Sequence, residues 1–210
     1  MTRGRHTGAW KNVVLTMDEQ FDLKRVALLR EAARAFNAKG YHDTSLVDVA
    51  KTLGVTKSAL YYYVKNKEEI LYECHLLSHR LGDQAVAYAR ERGKTGRERV
   101  VLLARTYLEL LTGEMGACAV LTEVDALSSE HRKLIRRRRD AFEKDFRALV
   151  DEGVADGSVR AVSAKLTVFF FMGAVNWLNR WFRPDGEFSG KEIAAQFADL
   201  LDHAIRGGKS

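Results

Sequence analysis

Residues 44–67 constrain this chain more than any other stretch, because they read as two short helices joined at Gly54. Val49 and Ala50 fall on the inner face of the first helix, where the small Ala lets a second helix approach closely. Gly54 supplies the turn, a position that favours positive φ. Leu60 and Val64, four apart, give the second helix a buried stripe. Lys57, Ser58, Ala59, Tyr61, Tyr62 and Tyr63 are left on its first turns and outer face. Three consecutive helical residues point in different directions, so some of the tyrosines must stand exposed. A helix of that width fits the DNA major groove, and exposed aromatics beside Lys suit phosphates, sugars and thymine methyls. A helix pair packed for stability alone is the competing reading. Motif geometry and exposed chemistry together favour DNA.

The charge distribution agrees. Residues 1–67 carry 12 Lys and Arg against 6 Asp and Glu, whereas residues 68–210 carry 22 of each. The whole formal charge of +6 therefore lies in the segment that holds the motif. A surplus so confined is an electrostatic footprint for a polyanion.

From a first helix at Arg25–Phe36, through Gly40-Tyr41, Thr44-Ser45 and the motif, to Asn66-Lys67-Glu68-Glu69, the sequence resembles the TetR family of transcriptional regulators. Order, spacing and residue types all fit over the first third of the chain. The resemblance implies an N-terminal three-helix DNA-binding domain followed by a helical ligand-binding and dimerisation domain. It implies that Thr44 and Ser45 bind phosphate at the start of the first motif helix and that Lys57, Ser58 and Ala59 face base edges. By the same resemblance Tyr61, Tyr62 and Tyr63 contact backbone or bases, and Lys67 clamps a phosphate at a helix N-terminus. Ala59 is a departure: it stands where relatives often carry a polar side chain and offers only a methyl group. Base readout would then rest on Lys57 and the tyrosines.

A chain of 210 residues suits one small and one larger domain. The expected division is a flexible basic arm over 1–20, a helix-turn-helix domain over 21–66 and a ligand-binding and dimerisation domain over 67–210. Arg3, Arg5 and Lys11 make the arm basic without an apolar run of signal-peptide length. A plain tail is the first reading of it, and an arm reaching an adjacent minor groove the second. Cys74 and Cys118 have no disulfide or metal-knuckle spacing, so a reducing cytoplasm is expected.

The fold expected is all-α, with nine helices, three in the head and six in the body; no period-2 strand pattern is visible. Asn66 can cap a helix from Lys67, with Glu68 and Glu69 in its first turn where the dipole favours acids. Further helices are expected from about Glu98 to Leu111, broken by Gly113 and Gly116, then a short one to about Leu127, one capped by Ser128 or Ser129 and ending near Gly153, one capped by Ser163 and running to about Phe182, and a last one capped by Ser189 over Gly190 to about Ile205.

The segment Thr167–Phe182 is apolar nearly all round, but Lys165 and Arg180 bracket too few residues for the ~20 of a membrane span. Such a helix is expected to pack on its own domain and on a second copy. With Ile193, Phe197, Leu200, Leu201 and Ala204 of the last helix it would form a two-fold bundle, a homodimer. Near its end cluster Asn176, Trp177, Arg180, Trp181 and Arg183. An Arg here can simply cap carbonyls and complement the dipole. Alternatively, two Trp and two Arg make a pocket rim that stacks on a purine and pairs with phosphates. This ending resembles TetR-type regulators that sense acyl-CoA thioesters in fatty-acid, sterol or aromatic-acid breakdown. It implies an acyl-CoA effector and an effector-released repressor that sets two recognition helices on a palindromic operator.

Arg136 to Arg139 point around more than one turn, so a solvated face paired with Glu130, Asp140 and Glu143 is expected rather than one phosphate patch. His75 and His79 have the spacing of two metal ligands on one helix face but lack companions, so no metal and no cofactor is expected. No nucleophile elbow, phosphate-cradling Gly loop or triad order appears, which argues against an enzyme. The alternatives left are a TetR-like regulator of another apolar ligand or drug, and a constitutive DNA-binding dimer. An apolar cavity lined by unlike helices would separate the first from the second.

Overall fold

A computed structural model of the chain describes residues 16–114, 116 and 119–207. Eight α-helices follow in order: α1 Met17–Lys39, α2 Leu46–Thr52, α3 Lys57–Leu60, α4 Lys67–Arg92, α5 Gly96–Thr112, α6 Ser129–Ala155, α7 Ala164–Trp181 and α8 Gly190–Ile205. Among the described residues the only β pairing is one isolated bridge, Val159 with Arg206. The all-α expectation holds.

Each helix begins at a side chain that accepts a hydrogen bond from its own first turn. Thr16, Ser45, Thr56, Asn66, Thr95, Ser128, Ser163 and Ser189 do this for α1 to α8 in turn. Each such cap stabilises its helix by about 1 kcal/mol. Thr16 and Ser189 are completed into capping boxes by Glu19 and Glu192.

Two expectations are corrected. Residues 1–15 of the basic arm lie outside the described residues, but Met17 to Gln20, assigned to that arm, already form the first turn of α1. The helix expected to end near Leu127 is reduced, among its described residues, to a 3-10 turn at Val124–Ala126, which leaves five α-helices in the body. Glu123 takes a left-handed backbone (φ 69°), which breaks helical continuity. Just upstream the chain is tied to α1, because Asn37 Nδ2 donates to the Ala119 carbonyl at 3.1 Å.

In the head, Leu28, Ala32, Ala33 and Phe36 of α1 pack on Leu46, Val49 and Ala50 of α2 and on Leu60 and Val64. The same apolar cluster continues through Ile70, Leu71, Cys74 and Leu77 of α4 to Val120, Leu127 and Ile135. A second cluster starts at Leu81 and fills the body. The apolar packing changes over within α4, between Leu77 and Leu81, and within α6, between Ile135 and Phe142. The first half of α4 is part of the head and the second half part of the body.

Helix α5 runs through the centre of the body, where Val100, Leu103, Ala104 and Leu108 are fully buried. It meets α6 at Gly96 and Gly153, so closely that a Cβ on Gly96 would fall on the Gly153 backbone. Tyr107 of α5, Phe142 and Phe146 of α6 and Phe171 of α7 close the core as a chain of rings, the first contact tilted and the next two edge-on.

Candidate nucleic-acid interface and effector residues

The two motif helices meet as their spacing requires. Val49, Ala50, Leu60 and Val64 are all buried. Gly54 turns the chain at φ +67°, and a Cβ there would meet nothing, so conformation rather than space calls for glycine. The second helix is short: α3 ends at Leu60 and continues as hydrogen-bonded turns, Tyr63 N–H to Leu60 O at 2.9 Å and Val64 N–H to Leu60 O at 3.2 Å.

Lys57, Ser58, Ala59, Tyr61 and Tyr62 stand exposed on this segment. Tyr62 is 72% exposed although its ring edge meets Phe21 of α1 at 5.5 Å. Lys57 Nζ lies 5.9 Å from the Tyr61 ring centroid, which keeps a positive charge beside an aromatic face. Tyr63 differs. It is half-buried, with its ring 5.0 Å from Phe21, and anchors α3 to α1. Thr44 is likewise turned inward, 4% exposed, with its hydroxyl donating to the Gly40 carbonyl at 2.9 Å. Ser45 is exposed and caps α2, its Oγ accepting from the Asp48 N–H at 3.1 Å. Thr44 and Tyr63 thus brace the motif, while the other residues present its surface.

Lys67 opens α4 with Nζ 4.1 Å from the Tyr41 ring centroid and 3.4 Å from the His42 carbonyl oxygen. Partial burial lowers its pKa from the ordinary lysine value, opposed by the charge of Asp43. The ammonium group is therefore held at the loop that leads into α2. Val47, Lys51, Val55 and Lys65 are also exposed on this motif. Sequence reasoning passed over the two valines, because an apolar residue in a periodic segment is assigned by default to the core.

In the body, Asn176, Trp177, Arg180 and Trp181 come together on the last turns of α7 and are all exposed, Trp177 to 64%. They look outward from the protomer and not into an enclosed chamber. Arg183 lies past the helix end, with Nη1 donating to the Phe182 carbonyl at 2.8 Å, the local capping role open to an Arg in this place. The same outer face carries Leu166, Phe169 and Phe170, with Leu200 exposed on α8. Ile193 and Leu201, expected at a dimer seam, are instead buried in the protomer's own core.

The arginine run behaves as a dispersed, solvated set. Arg136 pairs with Asp125 at 2.8 Å and Arg138 with Asp83 at 3.7 Å. Glu143, expected as a partner, is taken by Arg147. Beneath Arg138 and Arg139, His75 and His79 line α4. Burial first, then His79, lowers the pKa of His75 to about 4; burial first, then Arg138 and Arg139, does the same for His79. Both imidazoles are neutral at pH 7. Open surface hollows include one of about 470 Å³ along α6 at Glu143 and Arg147 and one of about 210 Å³ between the starts of α4 and α6.

Comparison with known proteins places these features. Residues 28–74 match the family described as "Bacterial regulatory proteins, tetR family", and residues 93–205 match "Tetracyclin repressor-like, C-terminal domain". The HTH-type transcriptional repressor KstR2 of Mycolicibacterium smegmatis is 25% identical over 197 residues, 85% of this chain and 88% of that protein. The fatty acid metabolism regulator protein of Bacillus subtilis is 23% identical, over 87% of this chain and 95% of its own. Among solved structures, the regulator PfmR from Thermus thermophilus superposes with a TM-score of 0.71 at 33% identity, covering 87% of this chain and 99% of that one. AibR in complex with isovaleryl coenzyme A and operator DNA gives 0.69 at 27% identity, covering 84% and 97%. Among the described residues no helix is long and apolar enough to cross a membrane. The chain belongs to the TetR family of bacterial transcriptional regulators.

Proposed function

We propose that the protein is a repressor that binds a palindromic operator as a homodimer and is released by an acyl-CoA thioester. The observation that carries the DNA-binding half is the exposed surface of Lys57, Ser58, Ala59, Tyr61 and Tyr62 on a helix braced by Gly54, Tyr63 and Thr44. Ser45 and Lys67 flank it and would hold the phosphate backbone. Lys57, Tyr61, Tyr62 and the exposed methyls of Ala59 and Val55 would read base edges and thymine methyls.

The dimer is supported by the apolar outer face of α7. Leu166, Phe170 and Trp177 are more than half exposed, a stripe that water does not favour on a single chain. Pairing it with its two-fold copy, together with Leu200 of α8, buries it.

The effector rests on two supports: AibR, which was solved with isovaleryl coenzyme A, and the cluster of Asn176, Trp177, Arg180 and Trp181, with Arg183 beyond. Arg guanidinium groups pair with phosphates and Trp faces stack on a purine. A second reading is favoured by the outward direction of Trp177, namely that these side chains serve the dimer seam and Arg183 the helix end. Selection from a random duplex pool by the purified protein tests the function. Enrichment of a two-fold symmetric site is the expected result, and no enrichment above the starting pool would refute DNA recognition.

A further inference from the structure

Consecutive residues at the start of α4 grip different elements: the loop before α2 and the start of α6. Lys67 reaches back to Tyr41 and His42 of the head. Glu68 reaches forward to the N-terminus of α6, the helix that leaves the head's apolar cluster after Ile135 and enters the body core at Phe142: its Oε1 accepts from the Ser128 N–H at 3.0 Å and lies 2.8 Å from His131 Nδ1. Successive helical side chains diverge by about 100°, which makes this split possible within one turn. One turn on, Tyr72 lies flat against the His131 ring, centroids 3.8 Å apart and planes 10° from parallel. The carboxylate thus sits at the positive end of a 27-residue helix, with a ring that is clamped on its face and fixed at one nitrogen.

We propose that Glu68 is a positioning residue that sets the angle of the DNA-binding head on the body, and so the half-site spacing the protein accepts. This rests on the operator-binding reading above. The apolar cluster through Ile70, Leu71, Leu127 and Ile135 joins the starts of α4 and α6 but is non-directional. Glu68 adds two directional bonds next to the residue that holds the loop before α2. Without them α4 can turn against α6 while the apolar contact persists. Gln keeps an acceptor for both donors; Ala removes it. His131→Phe keeps the stack on Tyr72 and removes the His131 bond, leaving the one from the Ser128 N–H.

The experiment uses the full chain and a duplex enriched by the wild-type protein from a random pool, with one base pair then inserted or deleted at its centre. One base pair shifts the half-sites by about 3.4 Å and turns them by about 35°. Wild type and Glu68→Gln should discriminate against the altered spacings by at least about ten-fold. Glu68→Ala should bind all spacings within about two-fold of one another, and His131→Phe should discriminate several-fold less than wild type, both with helical content unchanged. Should Glu68→Ala fail to fold, His131→Phe carries the test. Unchanged discrimination in the folded variants would overturn the assignment, as would equal weakening on every spacing with discrimination kept. If wild type enriches no duplex, the operator-binding reading fails and this assignment with it; if it does and the variants behave as wild type, only this assignment fails.

Discussion

Arg97 and Asp202 join α5 to α8 by a two-point ion pair, Nε to Oδ1 at 2.5 Å and Nη2 to Oδ2 at 2.7 Å. Arg206 adds a third bond to the same carboxylate at 2.8 Å. The Arg97 hydrogen bonds lead, against burial and with help from Arg206, in lowering the Asp202 pKa from 3.8 to about 2. A depressed carboxyl contributes stability that is whole above its unfolded pKa and is lost as pH falls through the folded one. For Asp202 the window runs from about 4 down to about 2. His75 and His79, also depressed, contribute stability that is whole above 6.5 and is lost as pH falls towards about 4. Acid titration of unfolding free energy should thus show two successive losses. Asp202→Asn should keep the first and lose much of the second, and cost on the order of 2 kcal/mol at pH 7. An Asn variant as stable as wild type at neutral pH would show the ion pair to be energetically idle.

Gly96→Ala should destabilise the body by about 1–3 kcal/mol, because its Cβ would fall on the backbone of Gly153. Urea unfolding is expected to show a lower midpoint at unchanged slope. A midpoint equal to wild type would mean that α5 and α6 separate without cost.

Lys67→Ala should weaken all DNA sequences alike and reduce the salt slope of binding by about 0.9, as loss of one phosphate contact requires. Lys57→Ala and Tyr62→Ala should instead alter preference among operator variants, because both side chains stand on the exposed face of the motif. Equilibrium binding across a salt series distinguishes the two classes. An unchanged slope for Lys67→Ala would leave that residue as a brace on Tyr41.

Phe170→Glu and Leu200→Glu should yield folded monomers in sedimentation velocity, since both side chains are exposed on the protomer, Phe170 to 72%. Leu201→Glu should unfold the chain, because Leu201 is in the core. Dimers in both surface variants at low concentration would place the interface elsewhere.

Much of this was legible because local chemistry and global packing agree. Asn66, Ser163 and Ser189 precede apolar periodic runs, and each caps its helix. Gly54 stands at the only turn the motif spacing allows. What stayed hidden depended on tertiary contact. Thr44 and Tyr63 have the polar and aromatic character of DNA contacts, and nothing local shows that the Thr44 hydroxyl also bonds the Gly40 carbonyl or that the Tyr63 ring packs on Phe21. Leu200 and Leu201 are neighbours in sequence, and only the direction of α8 against α5 decides which is core and which is surface. The place of Glu68 in an acidic first turn was visible, but its bond to His131 spans 63 residues and has no local signature.

Titration of the preformed complex between the protein and its selected duplex is the most direct test of effector-released repression. The titrants are isovaleryl-CoA, a long-chain and a ring-bearing acyl-CoA, free coenzyme A and the matching free acids. At least one thioester should release the DNA at concentrations where coenzyme A and the acids do not. Arg180→Ala should bind DNA normally and need roughly ten- to a hundred-fold more of that thioester, the cost of one charge-assisted bond to phosphate. Equal potency of acid and thioester, or no release by any thioester, would contradict acyl-CoA sensing.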